Sequence, residues 1–240
     1  MMADCLLLSG FWDDALRLAT RLADELQESH EIYDLLQVRA VVAQVRGRRG
    51  EIGPDDAAVT WLLGACRDSA LGVSQPAFVV PAALYARAGA HATAAGLIEE
   101  WLAAADPPDV VGQTGFLYEA ARIAVAAGAP RLAEQELRSI SHDQPFVRHT
   151  IVAIKAVLAA SAGDQRKAVS LYEDAALRWR GFGMPYEEAH ALVGLGLSLA
   201  AIGRVDPARA ALVDAARLFE SLGARPDVDD VRRWSEGLPA

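Results

Sequence analysis

Apolar residues recur along this chain with helical spacing, and glycine interrupts them at a nearly regular interval. Six glycines each follow an apolar run and precede a second helix-like run. They stand 35 to 42 residues apart, at Gly10, Gly47, Gly89, Gly128, Gly163 and Gly203. A tight turn between two helices needs a residue that tolerates the left-handed backbone conformation, and glycine does so without steric cost. The pattern therefore predicts a succession of six helical hairpins.

Small residues follow these turn glycines at a fixed distance. Five residues after most of them stands an alanine, at Ala15, Ala94, Ala133, Ala168 and Ala208. Alanine allows the second helix to approach the first closely, while larger neighbours fill the groove between adjacent pairs. In the second unit the segment RGRRGEIGP lengthens the turn, and the alanine is displaced to Ala57 or Ala58.

Proline and acidic residues mark the expected helix starts. Prolines stand where four helices should begin, at Pro54, Pro130, Pro207 and Pro226, and Asp206 is a suitable N-cap before the third of them. These signals and the periodicity predict helices near residues 2–9, 12–28, 31–46, 54–69, 76–88, 91–104, 112–127, 130–140, 145–162, 165–180, 185–202, 206–222 and 226–236. Because proline disrupts a helix interior, the helix containing Pro81 is expected either to kink there or to begin there.

Gly194 and Gly196 present a choice between a phosphate-binding loop and close helix packing. A dinucleotide loop needs a preceding strand and a third glycine, but here the helical run PYEEAHALV precedes the pair and Leu199 occupies the third place. Gly196 also stands seven residues before Gly203, on the face that meets the partner helix. We therefore expect these glycines to pack helices together rather than to bind phosphate.

Composition and charge narrow the class of protein. Hydrophobic residues make up 52% of the chain and aromatic residues only 7%, which favours close-packed helices over sheets. The net charge of -9 repels a phosphate backbone, so we expect this segment to contact no nucleic acid. The three arginines Arg46, Arg48 and Arg49 are expected in a solvated loop.

Export and membrane insertion are not indicated. The start MMADCLLLSG lacks the basic region of a signal peptide, and the uncharged segment 69–86 contains glycine and proline, which suit a loop followed by a soluble helix. Cys5 and Cys66 lie far apart and form no C-x-x-C pair, so both are expected to be buried thiols. A cytoplasmic location is expected.

Motifs for catalysis and metal binding were sought without success. The five histidines form no H-E-x-x-H pair, and no G-x-S-x-G elbow is present. Acidic pairs such as Asp13-Asp14 and Asp229-Asp230 stand in early turns or at helix ends, where they complement the helix dipole. We expect no catalytic residue, no metal site and no cofactor. An enzyme with an all-α fold is the least favoured alternative.

The last repeat unit resembles the tetratricopeptide repeat. The residues in that family's places are Leu195, Gly196, Gly203, Ala208 and Ala215. The resemblance implies an all-α fold, a right-handed α-solenoid of about six helix pairs with a C-terminal capping helix at 226–236. One helical-repeat domain would then span residues 1–240. The earlier units match the tetratricopeptide pattern only in their spacing and their small residues. A related repeat built from helix pairs is therefore the alternative to the tetratricopeptide repeat.

The stretch ARAALVDAARLFESLGARPDVDDVRRW is similar to the end of the repeat region in large bacterial regulators. These are LuxR-type (MalT-like) transcription activators and ATPase-bearing adenylate cyclase relatives, in which the repeats sense an inducer or partner and restrain the ATPase module. The resemblance implies a non-enzymatic protein-interaction or ligand-sensing module, the regulatory segment of a transcriptional or signalling protein. A free-standing scaffold or peptide receptor is the alternative.

In the tetratricopeptide family the first helix of each pair lines a concave surface. Counting from the turn glycines places a peptide- or ligand-binding groove at Asp34, Gln37, Val41, Gln44, Val79, Tyr118, Arg122, Thr150, Val157, His190, Val193 and Leu197. The set lacks the dense lysine and arginine that would clamp a carboxylate terminus. We therefore expect a protein or peptide partner with an apolar or amphipathic helix.

The strongest binding candidate in this set is the pair Tyr118 and Arg122, one helical turn apart. A pair on a solvated helix face is the alternative. The first unit carries only the short run MADCLLLS as its first helix, which leaves the apolar face of the helix at 12–28 partly uncapped. An upstream domain, or a second copy of the chain in a homodimer, is expected to cover it.

Overall fold

The computed structural model describes residues 2–29, 32–68, 76–104, 110–140 and 144–239. They form thirteen helices, with no strand among them: α1 (Met2–Leu8), α2 (Trp12–Ser29), α3 (Ile32–Arg48), α4 (Ala57–Arg67), α5 (Pro76–Arg87), α6 (His91–Ala104), α7 (Val110–Ala126), α8 (Pro130–Ser139), α9 (Pro145–Ser161), α10 (Gln165–Phe182), α11 (Pro185–Ala201), α12 (Val205–Leu222) and α13 (Arg225–Glu236). The all-α class is confirmed. The helix ends predicted at residues 31 and 69 lie outside the described residues.

The helices are arranged as pairs along the chain. Each helix contacts the next, and the first helices of the pairs (α1, α3, α5, α7, α9 and α11) also contact one another in chain order. This second set of contacts makes the first helices a continuous row. Side chains on their free faces therefore share one side of the molecule.

Five of the six predicted turn glycines adopt the left-handed conformation, and one prediction is wrong. Helix α3 continues through Gly47, and Gly50, with a φ of +73°, makes the turn instead. A Cβ at Gly47 would lie 2.8 Å from Leu84 Cδ2. Gly47 therefore permits close packing of α3 on α5, and α3 ends at Arg48, two residues beyond the end predicted at residue 46.

The start of α4 differs from the prediction. Asp56 Oδ1 accepts a hydrogen bond from the Ala58 amide at 2.9 Å, which makes Asp56 the N-cap. Pro54 therefore precedes the helix instead of beginning it, since the capping carboxylate satisfies the first free amides.

Two other proline-linked predictions are settled by helix bounds. Helix α12 begins at Val205, so Asp206 lies inside its first turn and is not the N-cap. Helix α5 spans Pro76 to Arg87 with Pro81 in its interior. The alternative in which α5 begins at Pro81 is therefore wrong.

The glycines of α11 serve packing, as the sequence predicts. A Cβ on Gly194 would overlap the ring of Tyr172 in α10, and a Cβ on Gly196 would lie 2.8 Å from Leu212 Cγ in α12. Both positions admit no side chain because neighbouring helices occupy the space. The expectation of close packing over phosphate binding is confirmed.

The two ends of the chain also meet. Helix α13 contacts α3, the rings of Trp12 and Tyr186 lie 5.5 Å apart between centroids, and a Cβ on Gly50 would stand 2.9 Å from Pro226 Cγ. Hairpins that contact only their sequence neighbours would not make these contacts. The meeting of the ends encloses inward-facing side chains of α3, α5, α7 and α11.

Cys5 is exposed, whereas Cys66 is buried. The expectation of two buried thiols is therefore wrong for Cys5, because α1 turns Ala3 and Leu7 toward the core and leaves Cys5 on its outer side. Within the described ranges, no helix combines the length and the apolar character that crossing a bilayer requires.

Candidate functional site

A set of polar and charged side chains, most of them buried, lies where the enclosed helices converge. We call it the charge cluster. Its members are Gln44 and Arg48 of α3, Arg87 of α5, Glu119 and Arg122 of α7, Tyr186, Glu187 and His190 of α11, and Asp227 of α13. Burying charge is costly unless each group is paired. The hydrogen bonds and ion pairs within the cluster therefore determine which of its groups are free to bind a ligand.

Glu119 ties α7 to α3. Its Oε2 accepts a hydrogen bond from Gln44 Nε2 at 3.1 Å and another from Arg48 Nη2 at 2.9 Å. Burial acts to raise the pKa of Glu119, but the charges of Arg48 and Arg122 outweigh it and lower that pKa. Glu119 is therefore held as a carboxylate inside the protein.

Arg48 also joins the beginning of the chain to its end. Its guanidinium carbon lies 3.8 Å from the centroid of the Tyr186 ring and 5.7 Å from that of Trp12, distances at which the flat cation interacts favourably with an aromatic face. The expectation of a solvated Arg48 is wrong, because α3 continues through this residue and carries its side chain inward.

Asp227 connects the last helix to α5. Arg87 Nη2 donates to its two carboxylate oxygens at 3.1 and 3.3 Å, and the Tyr186 hydroxyl lies 3.5 Å from Oδ2. Burial raises the pKa of Asp227, against the opposing charges of Arg87 and Arg122. The ion pair of Arg87 and Asp227 bridges residues 140 positions apart.

Arg122 determines the tautomer and the protonation state of His190. Arg122 Nη1 lies 2.9 Å from His190 Nδ1. Because a guanidinium only donates, Nδ1 must accept, and the ring proton resides on Nε2, 3.8 Å from Asp227 Oδ1. Burial and the charges of Arg122, Arg48 and Arg87 lower the pKa of His190 well below its usual value. His190 is therefore a neutral imidazole.

Two donors of Arg122 are unused. Its Nε and Nη2 are buried and have no hydrogen-bond partner, while its guanidinium carbon lies 5.2 Å from the centroid of the Tyr118 ring. Glu187 is also buried, and burial raises its pKa to about 7 although Arg122 and Arg48 act to lower it. The charge of the cluster therefore changes near neutral pH.

A cleft of about 390 Å³ opens beside the charge cluster, and we call it the central cleft. Its apolar lining includes Val157, Val193, Leu197 and Trp234. Its acidic and basic lining residues are Arg87, Glu119, Arg122, His190, Asp227 and Asp230. Small-molecule sites have this range of volume and this mixture of apolar surface with a few polar groups.

The predicted groove residues are divided between two clefts and the core. Five of them line the central cleft: Arg122, Val157, His190, Val193 and Leu197. Asp34 and Gln37 line a second cleft of about 670 Å³. Gln44 belongs to the charge cluster, and four residues are buried: Val41, Val79, Tyr118 and Thr150. The Thr150 hydroxyl donates to the Phe146 carbonyl at 3.1 Å.

The pair Tyr118 and Arg122 does not lie on a solvated face. Tyr118 is only 2% exposed, so that alternative is wrong. The structure also changes the expectation that arginine is too sparse to hold an anion, because the fold assembles Arg48, Arg87 and Arg122 from three helices.

Sequence reasoning missed six members of the cluster: Arg48, Arg87, Glu119, Tyr186, Glu187 and Asp227. One sequence signal could have identified two of them. Arg48 and Arg87 each stand two residues before a left-handed glycine, Gly50 and Gly89. Placing the second hinge at Gly47 concealed this common position.

The central cleft offers little for nucleophilic or metal-ion chemistry. Its lining residues include no serine, threonine, cysteine or lysine, and within the described part of the chain no three His, Cys, Asp or Glu side chains are grouped to hold a metal ion. His30 and His142 lie outside the described residues. No family model matches the chain, and no curated protein matches it either.

Proposed function

We propose that this chain is a non-enzymatic ligand-sensing module, a right-handed α-solenoid of about six tetratricopeptide-like pairs with a capping helix. In this proposal it is the regulatory segment of a bacterial transcriptional or signalling protein. The observation that carries the proposal is the position of the central cleft, which is lined by α5 and α7 together with α11 and α13. A ligand bound there contacts the central helices α5 and α7 and the C-terminal helices α11 and α13 at once.

The mechanism is a shift between two arrangements of the ends. Contacts such as Arg87 with Asp227, and Arg48 with Tyr186, hold the closed arrangement. A ligand changes the balance only if it binds one arrangement more tightly than the other. A cleft shared by α5 and α13 meets that requirement, because any separation of these two helices divides the binding surface.

Support for a non-enzymatic role comes from how the reactive groups are engaged. His190 accepts from Arg122 and is neutral, Glu119 is bound by Gln44 and Arg48, and Asp227 is bound by Arg87. These three side chains are therefore held by hydrogen bonds to other members of the cluster. His190 and Asp227 lie 3.8 Å apart beside the cleft. Nδ1 of the histidine and both oxygens of the aspartate already have arginine partners, which disfavours their acting as a base and acid on one substrate.

The test uses a variant that fills the cleft. Leu197 is partly exposed and lines the cleft, so Leu197→Trp should block ligands without disturbing the core. Leu177→Trp, at an exposed position of α10 outside the cleft, is the matched control. In a thermal-shift screen of small metabolites, hits should stabilise the wild type and the control but not Leu197→Trp. Equal stabilisation of all three proteins would place the binding site elsewhere.

The second cleft favours a second candidate, a peptide receptor. Leu22, Leu26, Phe116 and Phe146 line it together with the exposed Tyr33, and such an apolar surface suits one face of an amphipathic helix. Fluorescence anisotropy with a labelled amphipathic helical peptide tests this role. Tyr33→Asp should abolish binding while Leu197→Trp leaves it unchanged; binding that survives Tyr33→Asp would contradict it.

A further inference from the structure

Arg122 has two unused hydrogen-bond donors, Nε and Nη2. Nε and Nη2 lie side by side along one edge of the planar guanidinium group, where their N–H bonds run parallel and match the two oxygens of a carboxylate. Both atoms are buried without a hydrogen-bond partner. Leaving charged donors unsatisfied in this way is costly, and an anion that bonded both would remove the cost.

The distribution of partners among the arginines points to the same residue. Arg48 bonds Glu119, and Arg87 bonds Asp227. Of the three cluster arginines, only Arg122 has no hydrogen bond to a carboxylate, since its single bond is to the neutral His190. The arginine without a hydrogen-bonded carboxylate, although Glu187 and Glu119 are close enough to interact with its charge, is therefore also one that lines the central cleft.

The remaining walls of the cleft define the rest of the ligand. Val157, Val193 and Leu197 present aliphatic surface, and Trp234 adds an aromatic ring. We propose that the central cleft binds a small organic acid, with its carboxylate on the Nε and Nη2 edge of Arg122 and its compact apolar body against these side chains. This assignment rests on the proposed sensing function and names the class of its ligand.

Binding has a structural consequence that can be observed. Since Nε and Nη2 are shielded from water, Arg122 must turn toward the cleft to present them to a ligand. That movement breaks the contact between Nη1 and His190 Nδ1, now 2.9 Å. The imidazole of His190 then changes its hydrogen bonding, which NMR detects as a shift of its ring nitrogens.

The experiment titrates the full chain with hexanoate, hexanamide and hexylamine by isothermal calorimetry. Hexanoate should bind at one site roughly tenfold or more tightly than the two other compounds, because only the acid can bridge the arginine edge. Octanoate and benzoate extend the series to longer and aromatic bodies. Failure of all three acids to bind, or equal binding of hexanamide, would overturn the assignment.

Two variants link binding to the named residues. Arg122→Lys keeps the positive charge but removes the paired donors, so the acid should bind roughly tenfold more weakly. Leu197→Trp should weaken it at least as much, and Leu177→Trp should leave it unchanged. Unaltered acid binding by both Arg122→Lys and Leu197→Trp would overturn the proposal, and Leu197→Trp decides the matter if the lysine variant does not fold.

Hydrogen exchange separates this inference from the proposed function. If a neutral compound fills the cleft and alters amide exchange in α3 and α13, the proposed sensing function stands and the proposed organic-acid ligand is refuted. An acid that binds and shifts the His190 signals without altering exchange in those helices would retain the ligand class and refute sensing.

Discussion

The guanidinium carbon of Arg48, near the end of the third helix, lies over the ring of Tyr186 at the start of the eleventh, 3.8 Å from its centroid. The same guanidinium donates to Glu119 in the seventh helix. One side chain thereby joins three helices that are distant in sequence. The charge cluster depends on this contact, since it holds the two ends of the chain over the same cleft.

Arg48→Ala should destabilise the fold strongly. The substitution leaves Glu119 buried with only Gln44 as a partner, and breaking a buried ion pair costs about 3 to 5 kcal/mol. Urea unfolding followed by circular dichroism measures the change. Arg49→Ala is the control, since Arg49 pairs with a highly exposed Asp13, and its effect should be much smaller.

The double variant Arg48→Met with Glu119→Leu refines this prediction. Replacing both buried charges by apolar side chains removes the unpaired carboxylate, so the double variant should be more stable than Arg48→Ala by about 2 kcal/mol or more. A double variant as unstable as the single one would show that the ion pair is not the cause.

Glu187 should make stability depend on pH. Its pKa is about 7 in the folded protein and near 4.5 in the unfolded chain, so folding favours the protonated form. The resulting stabilisation is complete below pH 4.5 and is lost as the pH rises through about 7. It amounts to roughly 3 kcal/mol by linkage.

Comparison with Glu187→Gln isolates that contribution. The groups that face Glu187, namely Arg122, Arg48 and Glu119, are present in both proteins and cancel in the difference. Between pH 5 and 8 the unfolding free energy of the wild type should fall relative to that of the variant. Parallel curves for the two proteins would mean that Glu187 titrates normally.

Glycine substitutions test the packing of α11. Gly194→Ala should destabilise by about 1 to 3 kcal/mol, because its Cβ overlaps the ring of Tyr172. Gly64→Ala, in an exposed part of α4 with no atom within 4 Å of its Cβ, should instead stabilise by about 0.5 to 1 kcal/mol. If thermal unfolding gave both variants the same sign, packing would not explain Gly194.

Local sequence signals were sufficient for the helices. Gly89, Gly128 and Gly163 have the left-handed backbone that a turn requires, and their identity alone reveals it. The turn glycine was predicted wrongly where two glycines lie close together, because the local sequence does not distinguish Gly47 from Gly50 as the turn residue. Only contact with Leu84 in another helix distinguishes the packing glycine from the hinge.

The candidate site was predictable only in part. Arg122 and His190 were found because repeat spacing places them on the inward face of first helices. Arg87 and Asp227 were not, since their contact spans 140 residues and arises from the meeting of the chain ends. Periodicity within one hairpin cannot predict a contact between α5 and α13.

A double-mutant cycle on Arg87 and Asp227 tests the meeting of the ends most directly. The unfolding free energies of the wild type, Arg87→Ala, Asp227→Ala and the double variant give the coupling between the two side chains. The closed arrangement predicts a coupling of about 1 to 3 kcal/mol. The exposed pair Glu99 and Arg131, which joins α6 to α8, should give less than about 1 kcal/mol. A coupling for Arg87 and Asp227 indistinguishable from zero would contradict the account.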